Sequence, residues 1–211
     1  MTALPRLLVL TDRTRCAGSL TGTVAAAVAA GARAVVLREK DLPAAERARL
    51  AAQLQEVLDP VGGVLVVAGA DPTGTADAVH LAAGDPFPSP RPALVGRSCH
   101  DRAEVAQAAA EGCDWVFVSP VFPTSSKPGY GPALGPAGLA ALVAGAPPAY
   151  ALGGVRPGDV GACLAAGAAG IAVMGAVMAD PGSVRAYLGS LPAGRPTRAP
   201  RRDRAEALRH D

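Results

Sequence analysis

Residues 149–175, AYALGGVRPGDVGACLAAGAAGIAVMG, carry the decision about the fold. An apolar run, Ala149–Leu152, gives way to Gly153-Gly154. A helical stretch over Gly158–Ala166 follows, Gly167 stops it, and a second apolar run covers Gly170–Val173. Runs of four apolar residues bounded by glycine suit strands buried on both faces. A glycine just past a helix end takes the left-handed conformation and terminates the helix. Strand, helix and strand in this order imply parallel pairing through a right-handed crossover.

The same unit recurs on either side. Arg6–Thr11 reads as a strand and Leu20–Ala30 as a helix stopped by Gly31. Ala34–Leu37 is a strand, followed by a helix over Pro43–Leu58 with proline at its start. Val64–Ala68 and Ala78–Leu81 are the third and fourth strands, with only a short connection between them. Leu94–Arg97, a helix over Arg102–Glu111 stopped by Gly112, Trp115–Ser119 and a helix over Pro136–Ala144 complete the first six units. Past the seventh and eighth strands a last helix spans roughly Pro181–Leu188. Eight strands separated mostly by helices favour an α/β fold closed as a single (β/α)₈ TIM barrel, with an open doubly wound sheet as the competitor. Residues 1–192 are expected to form the barrel, and 193–211 an Arg/Pro-rich, mobile C-terminal tail.

Composition narrows the function. Half of the residues are hydrophobic, which excludes disorder of the whole chain, yet only 3% are aromatic. The formal charge of +2 comes from the tail, where six Arg face three acids from Arg195 onward. The rest is close to neutral, so no nucleic acid is expected as a partner. Four scattered cysteines without a CxxC pair argue against a disulfide framework or a zinc cluster. No apolar run long enough for a membrane span and no signal peptide are legible, so a cytoplasmic protein with no membrane partner is expected. The oligomeric state stays open, a homodimer included.

In such a barrel, chemistry belongs to the loops after the strands. Only two of the 20 basic residues are Lys, Lys40 and Lys127, and both fall at strand ends, which suggests point-charge roles that a guanidinium fills badly. Gly153-Gly154 after strand seven and Met174-Gly175 after strand eight suit a phosphate held by backbone N–H groups. The long connection Pro120–Gly135 places Thr124, Ser125 and Ser126 beside Lys127, a set suited to an anionic group. His80 ends an apolar strand and reads equally as a core or a functional histidine. His100, beside Asp101, reads as a catalytic candidate or as part of a helix cap. Asp12, Asp71 and Asp85 are candidate carboxylates at the mouth, Asp71 also reading as a helix cap before Pro72.

The stretches LTD (10–12), LREKD (37–41), AVHLAAGD (78–85), VGRSCHD (95–101), VSPVFPTSSKPG (118–129), ALGGVRP (151–157) and AGAAGIAVMGAVM (166–178) resemble the thiamine phosphate synthase/TenI family over about residues 6–190. The resemblance implies a TIM barrel acting on a small phosphorylated substrate. A synthase joins a thiazole phosphate to a hydroxymethylpyrimidine diphosphate and releases diphosphate with the help of Mg²⁺. Carried over by position, Arg38, Lys40 and Lys127 would hold the diphosphate and Asp85 would bind Mg²⁺. Ser98, Thr124 and Ser126 would line the pyrimidine and diphosphate pocket. Backbone amides near Gly154 and Gly175 would take the thiazole phosphate.

Four positions depart from the family pattern. Val36 stands where synthases carry Gln, and Ala68-Gly69 where they carry an Asn-Asp pair. Pro120 stands where the TenI branch carries its catalytic His. The leading expectation is a TenI-like thiazole tautomerase that moves a proton without a cofactor, with His80 or His100 supplying acid and base. The alternatives are a Mg²⁺-dependent thiamine phosphate synthase that recruits Asp12 or Asp71, and a non-catalytic binder of thiamin precursors.

Overall fold

The computed structural model describes residues 4–69, 76, 78–124 and 132–192. Eight parallel strands close into a barrel in sequence order: β1 (Leu7–Leu10), β2 (Ala34–Leu37), β3 (Val64–Ala68), β4 (Ala78–Leu81), β5 (Leu94–Cys99), β6 (Trp115–Val118), β7 (Ala149–Leu152) and β8 (Gly170–Val173). Pairing of Leu7 with Ile171 and of Leu8 with Ala172 seals β1 to β8 and rules out an open sheet. The helices are α1 (Leu20–Ala29), α2 (Ala44–Leu58), α3 (Arg102–Glu111), α4 (Gly135–Val143), α5 (Val160–Ala165), α6 (Gly175–Ala179) and α7 (Val184–Ser190). None of them is long and apolar enough to cross a membrane. Gly31, Gly112 and Gly167 have φ of 117°, 78° and 97°, as expected of glycines that end a helix.

Strand side chains alternate between two apolar layers. Leu7, Val9, Val35 and Leu37 face the helices, while Leu8, Leu10, Val36 and Ala68 face the barrel axis. Trp115, Phe117 and Tyr150 fill the interior from the β6 and β7 side. Room for Trp115 comes from its register partner Gly96, where a Cβ would stand 2.0 Å from the indole ring. The Tyr150 hydroxyl donates to the Leu4 carbonyl at 3.2 Å, tying this plug to the segment that enters β1.

One departure from the sequence expectation and one connection without a helix bear on the site. Directly after β8 the chain forms the short helix α6, where a plain loop was expected. Between β4 and β5 the chain runs without a helix, because Pro86, Pro88, Pro90 and Pro92 withhold N–H groups and fix φ. A fully buried arginine fills part of that gap. Arg97, on the helix-facing side of β5, donates through Nη1 to the carbonyls of Ala82, Ala83 and Asp85 at 2.8–2.9 Å. Its Nη2 lies 2.7 Å from Glu111 at the end of α3, an ion pair whose angle falls outside hydrogen-bond geometry. The guanidinium therefore supplies the donors that hold the loop carrying Asp85. The expected tail, 193–211, lies outside the described residues, as do Asp71, Ser126 and Lys127.

Candidate functional site

The C-terminal ends of the strands surround a cavity of about 670 Å³. Of the residues expected from sequence, Arg38, Lys40, His80, Ser98, Thr124, Gly153, Gly154, Met174 and Gly175 all line it. Arg15 and Arg156 line it as well, and neither was singled out in the sequence. Among the described residues four cationic ones line this space and Asp85 stands beside Lys40 at its edge, while its inner part is apolar, with Leu10, Val36, Ala68, Phe117 and Ala172. Such a lining favours an anionic ligand with a flat or apolar body.

The loop after β2 is held by the loop after β1. The Arg38 N–H donates to Thr11 Oγ1 at 2.9 Å. Arg13 grips Glu39 through its N–H at 3.2 Å and Nη1 at 2.9 Å, and pairs with Asp41 at 2.5–2.8 Å. Asp41 is held down to about 2 by the Arg13 hydrogen bonds. Glu39 turns inward against Arg13, and its neighbours Arg38 and Lys40 turn to the cavity. Asp12 is engaged locally: it accepts from Thr14 N and Oγ1 and from Arg15 Nε. Burial works to raise its pKa, and these bonds outweigh burial and lower it. Asp12 is a cap for the turn at Arg13–Arg15, which corrects its reading as a recruitable metal ligand.

His80 projects from β4 into the interior, buried, with its ring 3.9 Å from Phe117 in a stacked arrangement and 5.8 Å from Trp115. Its Nε2 is 3.0 Å from Ser98 Oγ, and its Nδ1 is buried without a partner among the described residues. Burial, with Lys40 and Arg97 adding repulsion, pushes its pKa down to about 3. The imidazole is neutral at physiological pH. It is both a core side chain and a cavity wall, so the two readings left open by the sequence describe the same residue.

His100 is placed elsewhere. Its Nδ1 is 2.7 Å from the Ser119 carbonyl, and its main-chain N–H donates to Glu104 at 2.6 Å, while Asp101 caps α3 through the Glu104 N–H. His100 does not line the cavity. Its expected catalytic role gives way to the cap reading, because the reciprocal bonds at the start of α3 direct it to the β5–β6 seam.

The glycine turn after β7 is built into the loop after β6. Val121 N–H donates to the Leu152 carbonyl and Phe122 N–H to that of Gly153, both at 2.9 Å. At Gly154, φ is 65° and a Cβ would stand 2.3 Å from the Pro123 carbonyl, so only glycine fits. Tyr187 of α7, also on the cavity wall, donates to the Val155 carbonyl at 3.0 Å and fixes the far side of the turn.

Among the described residues no three His, Cys, Asp or Glu side chains gather into a metal cage. Magnesium, however, is ordinarily held by one or two carboxylates together with substrate phosphates. Asp85 fits that lesser role. Its Oδ2 accepts from Ala82 N–H at 2.8 Å and faces Lys40, and its Oδ1 takes no hydrogen bond among the described residues.

Comparisons agree with this geometry. The family model described as thiamine monophosphate synthase matches residues 7–177. The thiamine-phosphate synthase of Methanoculleus marisnigri is 36% identical over 88% of this chain and 92% of its own. That of Chromobacterium violaceum is 40% identical over 72% of this chain and 77% of its own. Among solved structures, thiamine phosphate pyrophosphorylase from Pyrococcus furiosus superposes with a TM-score of 0.76 at 25% identity, covering 88% of this chain and 94% of the other. A 3-hexulose-6-phosphate synthase, at a TM-score of 0.65 and 16% identity, shares the barrel alone. With the barrel, the cationic mouth and these relatives together, the chain belongs to the thiamine monophosphate synthase family.

Proposed function

We propose that this chain is a thiamine-phosphate synthase, which condenses hydroxymethylpyrimidine diphosphate with thiazole phosphate and releases diphosphate. The observation that supports the proposal is the lining itself: four cationic residues among the described ones, with His80 on the wall held neutral. A proton-transfer tautomerase needs a group that gains and loses a proton near neutral pH. His80 is far from that range, His100 is off the cavity, and Pro120 has no side-chain donor. The synthase names of the relatives support the same side.

In this reading Arg38 and Lys40 hold the diphosphate, and the apolar interior beside Ser98 and His80 receives the pyrimidine ring. The amides of the Gly153-Gly154 turn and of Gly175 face the thiazole phosphate. The carbon–oxygen bond to the diphosphate breaks, and the thiazole takes that oxygen's place. Negative charge grows on the departing oxygen, where fixed cations are most effective. Magnesium bound through Asp85 would neutralise further diphosphate charge. Thr124 lines the cavity, and the roles expected of Ser126 and Lys127 fall outside the described residues.

The test is incubation of the purified protein with both substrates and Mg²⁺. Diphosphate release that requires both substrates is expected. Aromatised thiazole phosphate formed from its tautomer without diphosphate release would restore the tautomerase, and tight binding of either precursor without turnover would leave a binding protein.

A further inference from the structure

Cations stand at two separate arcs of the mouth. Arg38 and Lys40 follow β2, whereas Arg156 follows β7 and Arg15, from the loop after β1, reaches the end of β8, with β1 between the two groups. Arg15 spends its Nε on Asp12 at 3.1 Å, which fixes the plane of the guanidinium and leaves its Nη groups over α6. Nη1 lies 3.6 Å from the place a Cβ would occupy on Gly175, and no side chain stands between them. Arg156 directly follows the Gly153-Gly154-Val155 turn, with its main-chain N–H accepted by Asp159 at 2.9 Å. Arg156 lines the cavity, and its guanidinium forms no ion pair among the described residues. The second arc thus offers two planar donors, one pre-oriented and one unpaired, at the edge of the glycine turns. Guanidinium forks match phosphate oxygens two at a time.

We propose that Arg15 and Arg156 grip the phosphate of the thiazole substrate from its solvent side, and that they make the site distinguish the phosphate ester from the corresponding alcohol. The proposal rests on the synthase reading for the identity of the ligand, but its test uses binding, not turnover. Backbone amides alone would accept the anion. The guanidinium pair adds charge that an alcohol cannot use, so the preference for the ester follows from these two side chains.

Dissociation constants for thiazole phosphate and for the thiazole alcohol are to be measured by calorimetry on the wild type, Arg15→Gln, Arg156→Gln and the double variant. Each single change should weaken the phosphate roughly tenfold or more, the scale of a lost charge-assisted hydrogen bond. Binding of the alcohol should stay within about threefold, a negligible free-energy change. Arg15→Lys should recover part of the loss, since it keeps the charge and gives up the fork. An ester-to-alcohol ratio unchanged in the double variant, or a parallel loss for both ligands, overturns the proposal. A protein that discriminates through these arginines but releases no diphosphate would sink the synthase reading and leave this one intact. Normal synthesis with an unaltered ratio would do the reverse.

Discussion

The ammonium of Lys40 lies 3.6 Å from Oδ2 of Asp85, joining the loop after β2 to the loop after β4. Asp85 is fixed first by its own turn, through the Ala82 N–H, and the loop that carries it is fixed by Arg97. Lys40 passes over Gly69, where a Cβ would stand 3.3 Å from its Cε. Both charged groups are partly open to solvent, at 46% and 32% exposure, so the pair adds little to stability. Its effect is to hold the Lys40 ammonium on the cavity wall, where the proposed function puts the diphosphate.

Lys40→Met should therefore raise KM for the pyrimidine diphosphate roughly 10–100-fold, the scale of a charge-assisted hydrogen bond. KM for thiazole phosphate and the thermal midpoint should hardly move. Lys40→Arg should restore only part of the affinity, because a planar fork replaces a compact point charge. Steady-state kinetics with each substrate varied in turn check this, and an unchanged diphosphate KM would remove Lys40 from the site.

The buried His80 sets a pH dependence of stability. In the unfolded chain it binds a proton near pH 6.5, and in the fold only near about 3. Its contribution is complete above about pH 6.5. Between those values the unfolded state binds more protons, so stability falls as pH falls, by at most about 1.4 kcal/mol per pH unit. Urea unfolding at pH 6.5 and 5.0 should show this loss in the wild type and a smaller one in His80→Gln. Equal slopes in the two proteins would contradict a neutral, buried imidazole.

Gly154→Ala should damage both stability and one substrate. Left-handed backbone costs an alanine about 1–2 kcal/mol, and the clash with the Pro123 carbonyl adds overpacking of about 1–3 kcal/mol. Thermal unfolding should fall by several degrees. KM should rise for thiazole phosphate more than for the diphosphate, because the β7 turn is the part displaced.

Arg97→Met should destabilise the fold by about 3 kcal/mol or more, since three loop carbonyls lose their donor and Glu111 its counter-charge. Limited proteolysis should then cut within 82–93, where the wild type resists. Resistance in both proteins would show that the proline-rich connection holds itself.

The barrel was legible because four-residue apolar runs and helix-ending glycines recur with little ambiguity, and every expected strand is present. The short helix α6 was not legible: GAVMA is apolar, follows a strand directly and lacks a side-chain N-cap. Lys40 stood out because lysine is rare in this chain. Arg13, Arg15, Arg97 and Arg156 did not, because 18 arginines look alike until barrel closure assigns each a face. His100 and Asp101 were adjacent candidates for one cap, and the structure shows both engaged there. The departure at Val36 is visible as an apolar wall, in line with the interior described above.

Hydrogen bonds run sideways between neighbouring loops: Arg13 and Thr11 carry the segment after β2, and the segment after β6 carries the glycine bend after β7. The mouth is thus assembled from two prefabricated jaws rather than eight independent tips. A graft that transplants one member of a jaw inherits severed anchors. A graft that moves both members takes its own geometry along, so ligand preference in this barrel is inherited in pairs of loops.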